Sequence, residues 1–348
     1  MSRTGFWRHS AVLAAMVIPS LAMLMRGSIE THAQEEAPAK ARAANLDSGG
    51  GSAADTLQQL KETLPQVKLD GKTYYFVEGD LRLDEARLSS YARELANQFR
   101  RFQEADVSGQ PSSGPTPGQL MLHVVNGRVM CWTPGSTVTY CILKGTFGGD
   151  GEYQDVVANM DRATKEWAAT CNIKFKHDSS KDTSAPKNVP PAGVTFTVRK
   201  VGDAGGPIAS AFFPGDPQAD RHLLLFPAYF APNLTFDKAG VIRHELGHVL
   251  GFRHEHIRSE APAVCQGEPI SGSIPATKYD PKSVMHYFCG NRGSAELKIT
   301  SRDRQGSRMV YGAPTSTSTS PKGFSAAPAE TPLDADEESK DDFKRLKP

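Results

Sequence analysis

The sequence has no excess of either charge and no basic block. Its 348 residues carry 40 Lys and Arg against 39 Asp and Glu, a formal net charge of +1 at pH 7. Nucleic-acid binding therefore has no electrostatic support. A sustained basic amphipathic face, which would indicate binding to a membrane surface, is also missing. We expect neither nucleic acid nor a lipid surface as a partner.

Cysteine is scarce, and no Cys-x-x-Cys spacing indicates a second metal site. The five cysteines are Cys131, Cys141, Cys171, Cys265 and Cys289. They fit an oxidising compartment. The sequence leaves their pairing open, and Cys265 with Cys289 is one candidate disulfide.

Long apolar runs are missing after the first 25 residues. Arg3 and Arg8 form a basic opening, and an apolar run interrupted by Pro19 follows from about Ala11 to Met25. The run is shorter than the roughly 18–20 apolar residues of a spanning helix. We interpret residues 1–33 as a cleaved export signal, with an uncleaved membrane anchor as the alternative. The protein is expected to be secreted, extracellular or periplasmic, with no span beyond the signal.

The rest of the chain divides by composition. Residues 34–125 combine a leader, a small compact unit and a linker rich in Ser, Pro and Gly. Residues 313–348 are expected to be a disordered tail. Residues 126–312 contain helical and extended patterns in a β-α-β order, which predicts an α+β unit with a mixed, twisted sheet. The expected elements are strands at 73–77, 129–133, 137–142, 172–177, 194–199, 207–213 and 223–226, and helices at 84–104, 153–170 and 237–250.

One stretch carries metal chemistry: His244-Glu245-Leu246-Gly247-His248-Val249-Leu250-Gly251-Phe252-Arg253-His254. On a helix, His244 and His248 lie on one face. Gly251 lets the chain leave the helix through a left-handed conformation and bring back His254. Three imidazoles and a water form the open site of one catalytic Zn²⁺, and Glu245 is placed as general base. Histidines that only decorate a surface helix would need neither this glycine nor the third histidine.

With Glu255 after the third histidine, this stretch resembles the signature of the astacin family within the metzincin clan. Ser283-Val284-Met285-His286-Tyr287 is similar to the family's methionine turn. The resemblance implies an active-site helix, with zinc in a cleft between an N-terminal and a C-terminal subdomain. It further implies that Met285 lies beneath the metal and that Glu255 is a buried structural acid. Met285 as simple core filler is the alternative.

The family resemblance also gives Tyr287 a role. It implies that Tyr287 is an additional zinc ligand at rest, which swings away to stabilise the oxyanion of the reaction. A buried aromatic side chain with a satisfied hydroxyl is the alternative.

The segment from Pro207 to Phe213 resembles the family's edge strand, along which a substrate peptide lies antiparallel. Its residues are Ile208, Ala209, Ser210, Ala211 and Phe212. Pairing through the backbone gives affinity with little sequence preference. An ordinary exposed strand edge is the alternative.

Val77-Glu78-Gly79-Asp80-Leu81 resembles the propeptide motif by which astacin precursors stay inactive, although the family commonly has Phe at the position of Val77. There, an aspartate takes the fourth zinc position, which is a competent role for a carboxylate. Asp80 is then the latency residue, and the protein's own propeptide is a partner of the site. A Gly-Asp pair after a strand is otherwise an ordinary turn.

These features predict a monomeric, zinc-dependent endopeptidase made as a latent zymogen, with protein or peptide substrates. The alternative is a zinc-dependent binding protein of the same fold without turnover. Retention of Glu245 opposes that alternative, because a binding module needs no general base. Nothing in the sequence favours a zinc hydrolase that acts on something other than protein.

Overall fold

The computed structural model describes residues 52–108, 120–187, 189–202, 206–258, 260–262, 273–289 and 291–315, and the side chains at a few of these positions are not described. The predicted export signal, the predicted linker at 108–118 apart from Ser108, and the tail beyond 315 lie outside this part of the chain. Within the described residues, no helix is both long and apolar enough to cross a bilayer.

The N-terminal unit is a small antiparallel sheet covered by two helices. Its elements are α1 (Ala53–Thr63), β1 (Gln66–Leu69), β2 (Lys72–Val77), β3 (Leu81–Leu83) and α2 (Glu85–Ser108), with strand order β1-β2-β3. Helix α1 begins at a capping box in which Ser52 and Asp55 exchange hydrogen bonds. The two helices pack on each other.

Both faces of this small sheet are buried. Tyr75, Val77 and Leu81 pack under the two helices, in a cluster that also contains Phe213 of the second unit. On the opposite face, Phe76 packs edge-on against Phe226, with ring centroids 5.5 Å apart. The small sheet therefore buries apolar side chains on both faces, and the face with Phe76 docks it on the second unit by the hydrophobic effect.

The second unit is built on a five-stranded mixed sheet. Its elements are β4 (Met121–Val125), β5 (Arg128–Val129), β6 (Thr137–Ile142), α3 (Asp150–Thr170), β7 (Lys174–His177), β8 (Phe196–Lys200), β9 (Ala209–Ser210), β10 (His222–Leu225), α4 (Lys238–Val249), β11 (Ser273–Pro275) and α5 (Ser301–Tyr311). The main sheet has the order β7-β6-β8-β10-β9. Four strands are parallel, and β9 runs antiparallel to β10 at the edge. This confirms the predicted α+β architecture with a mixed sheet.

Helices α3 and α4 pack against each other and contact the sheet. Every residue of α4 from Ala239 to Val249 is buried. The last carbonyl groups of a helix have no hydrogen-bond partner within the helix. At the C-terminal end of α4, side chains from other parts of the second unit donate hydrogen bonds to these carbonyls. Trp132 Nε1 donates to Val249 O at 2.7 Å, and Tyr311 Oη donates to Leu250 O at 2.6 Å. The helix is fixed in the centre of the molecule.

Two predicted strands are shorter than expected. In the region predicted as 129–133 the strand spans Arg128–Val129, and in the region predicted as 207–213 it spans Ala209–Ser210. Strand β4 pairs with β11 and β5, so the boundary predicted at residue 126 falls just after a strand of the second unit.

Three of the five cysteines, Cys131, Cys141 and Cys171, are free thiols. The remaining two are Cys265 and Cys289, and Cys265 lies outside the described residues. The disulfide between Cys265 and Cys289 stays a prediction.

Candidate metal centre

Three imidazoles converge at the C-terminal end of α4. His244 and His248 project from one face of the helix, and His254 returns from the segment after it. Its Nε2 atom lies 3.2 Å from Nε2 of His244 and 3.1 Å from Nε2 of His248. Zn–N bonds of about 2.0–2.1 Å in a tetrahedron place the nitrogens about 3.3 Å apart. The spacing therefore fits one zinc ion.

Gly251 makes this return possible. It ends the helix with φ +92°, a conformation in which an L side chain is strained. A Cβ at this position would also collide with the carbonyl oxygen of Met130. The backbone N–H of Phe252 donates to Gly247 O at 2.9 Å, and that of Gly251 to His248 O at 2.8 Å. The left-handed exit predicted from the sequence is present.

The outer nitrogens of two imidazoles are fixed by backbone carbonyls. His244 Nδ1 lies 2.7 Å from Val284 O, and His248 Nδ1 lies 2.7 Å from Phe252 O. Since a carbonyl can only accept, each Nδ1 carries the proton and each Nε2 presents its lone pair to the centre. Burial lowers the pKa of His248 and, more strongly, that of His254. Neutral imidazoles are the form that binds a metal.

A fourth candidate ligand, Asp80, comes from the N-terminal unit. The Asp80 carboxylate lies 3.2 Å from Nε2 of His244 and 3.2 Å from Nε2 of His254. Ligand atoms of these three residues and of His248 all fall within 4.8 Å of one another. Asp80 Oδ1 is buried, and among the described residues it has no hydrogen-bond partner. Such an oxygen needs a cation, and a set of three nitrogens and one carboxylate suits zinc.

The pKa of the Asp80 carboxyl is shifted downward. Burial alone would raise the pKa of its carboxyl, but the neighbouring His254 and His248 side chains lower it well below its usual range. Glu245 shows the opposite behaviour. Burial, and then the Asp80 carboxylate, raise its pKa well above the usual range. The two carboxyl groups face the same centre, and repulsion between them favours one charge there.

Glu245 lies beside the histidines without belonging to their set. Its side chain is 2% exposed, and the backbone N–H of Ala211 donates to its carboxylate. Within the described residues, Glu245 Oε2 has no hydrogen-bond partner. The edge strand therefore orients one oxygen of Glu245 and leaves the other available.

The methionine turn joins the two segments that carry the histidines. Val284 O accepts a hydrogen bond from His244 Nδ1. Met285 O accepts a hydrogen bond from the backbone N–H of Glu255 at 2.8 Å. Met285 is fully buried against α4, where a Cβ at Gly247 would collide with its sulfur. Asp303 anchors the turn by accepting from Ser283 Oγ at 2.6 Å and from Val284 N at 2.9 Å.

Glu255 is buried and ion-paired. Its Oε1 accepts from Arg258 Nη1 at 2.6 Å and from the backbone N–H of Asp280 at 2.9 Å. Burial raises its pKa to about 8, against the opposing effect of Arg258. In this arrangement, Glu255 fixes the chain between the third histidine and the methionine turn.

Tyr287 lies directly over the centre. Its ring centroid is 4.4 Å from that of His254 and 4.5 Å from that of His256. Gly79 packs so closely against the phenol of Tyr287 that a Cβ at position 79 would lie 2.7 Å from the hydroxyl oxygen. The glycine before Asp80 is therefore required for the N-terminal unit to reach the centre past Tyr287.

Two charged residues near the centre were not singled out in the sequence. Glu78 and Arg253 form a buried ion pair, and Glu78 Oε2 lies 3.4 Å from Nδ1 of His254. Glu78 adopts φ +49°. Both residues belong to motifs quoted from the sequence, but their pairing depends on how two distant segments meet.

The edge strand is covered rather than exposed. Ala209, Ser210, Ala211 and Phe212 are all buried, and Ile208 is half-buried. The N-terminal unit provides part of that cover through Arg82, which bonds to Ser210, and through the cluster around Phe213.

Comparison with known proteins agrees with this site. Residues 131–263 match the Peptidase M10 (Matrixin) family model. Tolloid-like protein 1 of Mus musculus is 24% identical over 262 residues, which cover 67% of this chain and 23% of that protein. The dorsal-ventral patterning protein tolloid of Drosophila melanogaster is 34% identical over 67 residues, 15% of this chain and 6% of that protein. The chain thus spans less than a quarter of the length of these relatives.

Two solved structures are also similar. Myroilysin aligns with a TM-score of 0.38 and 17% identity, over 54% of this chain and 97% of that one. A hatching-enzyme zinc-protease of Oryzias latipes aligns with a TM-score of 0.30 and 19% identity, over 55% and 93%.

The sequence matches and the convergent imidazoles show that this chain is similar to zinc metallopeptidases of the astacin/metzincin type.

Proposed function

We propose that the intact chain is the latent form of a secreted zinc endopeptidase, with His244, His248 and His254 as the metal ligands. The observation that carries this proposal is the convergence of these three imidazoles with Asp80 on one buried centre. Secretion rests on the pattern of residues 1–33. The residues from 34 up to the start of β4 act as the leader, propeptide and linker.

Glu245 acts as the general base. A zinc ion at the centre would supply Lewis-acid polarisation of the peptide carbonyl and lower the pKa of a water molecule. Glu245 accepts a proton from that water and delivers it to the leaving amine. Its free Oε2 supports this role, while Ala211 holds the other side of the carboxylate in place. A binding protein would have no use for a buried carboxylate oxygen kept available in this way.

Tyr287 donates its hydroxyl hydrogen to the oxyanion that develops on the substrate carbonyl. Its ring packs on His254 and His256, which keeps the phenol at the centre. Gly79 covers the hydroxyl in the intact chain. Loss of the N-terminal unit would free the phenol for a substrate.

Latency follows from occupation of the cleft by the N-terminal unit. Asp80 takes the position that the attacking water needs, and the buried state of the edge strand Ile208–Phe212 denies it to a peptide. Cutting the chain between α2 and β4 would release both. The active form then pairs a substrate with the free side of β9.

Metal removal tests the proposed activity. The full chain is treated with an immobilised protease until casein cleavage appears, and the protease is then filtered off. We expect 1,10-phenanthroline to reduce cleavage to background and stoichiometric Zn²⁺ to restore it, with Mg²⁺ as the control that does not. Cleavage that persists in a metal-free sample would contradict the proposal.

A further inference from the structure

A guanidinium group of the N-terminal unit occupies a pocket in the second unit. Arg82 is 4% exposed. Its Nη2 donates to Asp220 O at 2.5 Å and to His222 O at 2.8 Å. Its Nη1 donates to Ser210 Oγ at 3.2 Å and lies 3.4 Å from Ser210 O. Four acceptors, all from the second unit, therefore surround one guanidinium.

The pocket also carries negative charge. Burial lowers the pKa of Arg82, and the carboxylate of Asp220 is the strongest opposing influence, with a smaller one from Asp216. These two aspartates are themselves partnered by the N-terminal unit. Arg87 bonds to Asp216 at 3.1 Å and to Asp220 at 2.7 Å, and Tyr74 Oη donates to Asp220 at 2.6 Å. Departure of the N-terminal unit would leave the acceptors and both carboxylates without these partners.

The pocket adjoins the catalytic centre. Ser210 contacts Arg82, and the next residue of the same segment, Ala211, donates its backbone N–H to Glu245. Arg82 also lies two residues after Asp80, which occupies the metal centre. A peptide in the cleft would therefore present side chains to this pocket within a few residues of the bond that is cut.

We propose that this pocket is a specificity subsite that accepts a basic side chain of the substrate, arginine in preference to lysine. The inference rests on the proposed peptidase function and adds a substrate preference to it. Carbonyl oxygens and carboxylates can accept hydrogen bonds but cannot donate them, so the pocket requires a donor. The planar guanidinium group carries several N–H donors and satisfies several acceptors at once. An apolar or acidic side chain would leave these buried acceptors unsatisfied. In the latent chain, Arg82 occupies the subsite in place of a substrate side chain.

The first test uses the intact chain and needs no peptidase activity. Arg82→Ala opens the pocket, and millimolar ethylguanidinium should raise the melting temperature of this variant by at least about 2 °C more than that of the wild type. Ethylammonium should have a smaller effect. Arg93→Ala removes an exposed arginine of α2 and is the matched control without rescue. Equal responses of both variants would overturn the guanidinium pocket.

The second test measures substrate choice after immobilised-protease treatment of the full chain. Quenched peptides differ by arginine or its neutral isostere citrulline at successive positions around the cut bond. At one position, the peptide with arginine should have a kcat/KM at least about tenfold higher than the peptide with citrulline. A tenfold ratio corresponds to a difference of about 1.4 kcal/mol in transition-state binding. Asp220→Asn should reduce this ratio, and Asp161→Asn, at a side chain of α3 that is 56% exposed, should not.

The outcomes separate the two claims. Cleavage without an arginine preference at any position would overturn the subsite alone. No cleavage of any peptide by the zinc-loaded, processed chain would overturn the proposed function and the subsite with it, whatever the melting temperatures show.

Discussion

Glu245→Gln is expected to lower kcat of the processed chain about a thousandfold, within the range of about 10²–10⁴ that general-base catalysis contributes. Glutamine keeps the shape of the side chain and can still accept the N–H of Ala211, but it cannot take a proton from water. KM should change little, because Glu245 is not placed to bind the peptide. Steady-state kinetics on a quenched peptide gives both constants.

Two measurements separate this chemical effect from damage to the fold. The zinc content and melting temperature of Glu245→Gln should match those of the wild type, because the carboxylate lies outside the ligand set. Glu296→Gln, at a side chain that is 64% exposed, should keep full activity. A Glu245→Gln variant with near-normal kcat would remove the assigned general base.

Asp80→Ala is expected to make the uncut chain active, at least about tenfold above the intact wild type. Breaking a buried ionic pairing typically costs about 3–5 kcal/mol, and each 1.4 kcal/mol shifts an equilibrium about tenfold. The variant should stay below the processed enzyme, since Arg82 and the cluster around Phe213 still hold the N-terminal unit over the edge strand. Peptide cleavage before and after immobilised-protease treatment measures the ratio.

The control for this prediction removes a carboxylate of the same unit that does not reach the centre. Glu85 is 70% exposed and pairs with Lys61 inside the N-terminal unit, so Glu85→Ala should leave latency unchanged. If the uncut Asp80→Ala variant cleaves peptide as slowly as the uncut Glu85→Ala variant, and processing activates both, another contact maintains latency.

The three histidines could be placed from sequence because their geometry is local. A spacing of four residues on a helix fixes one face, and a glycine at the helix end allows the reversal that brings His254 back. His254 lies six positions after His248, so the approach of the three imidazoles follows from the helix and the reversal after it, while the distant methionine turn orients the His244 ring. The observed φ of +92° at Gly251 agrees with that local argument.

The N-terminal contribution was harder to predict. Only the family resemblance connected Asp80 to the metal centre, since more than 160 residues separate it from His244 and a Gly-Asp pair is common in turns. Nothing in the sequence predicted that Arg82 would be buried against the second unit. A charged residue in a short strand is expected to face solvent, whereas here its side chain is buried because the partner surface supplies backbone carbonyls.

The secondary structure shows the same division between local and tertiary causes. The strand at Thr137–Ile142 and the helix through Thr170 follow from periodicity and were predicted closely. Helix α1 was missed because its leucines are sparse and its start depends on the Ser52–Asp55 capping box. The strand predicted at 207–213 was too long, because its regular register with β10 covers only Ala209 and Ser210.

The central claim is that three imidazoles of this chain bind one zinc ion, and the metal content of the purified full chain tests it most directly. Elemental analysis after dialysis should give one zinc per wild-type chain, and His254→Ala should fall far below this value while Glu296→Gln retains the metal. A wild-type chain that is folded but holds no zinc, or a His254→Ala variant that holds as much as the wild type, would contradict the account.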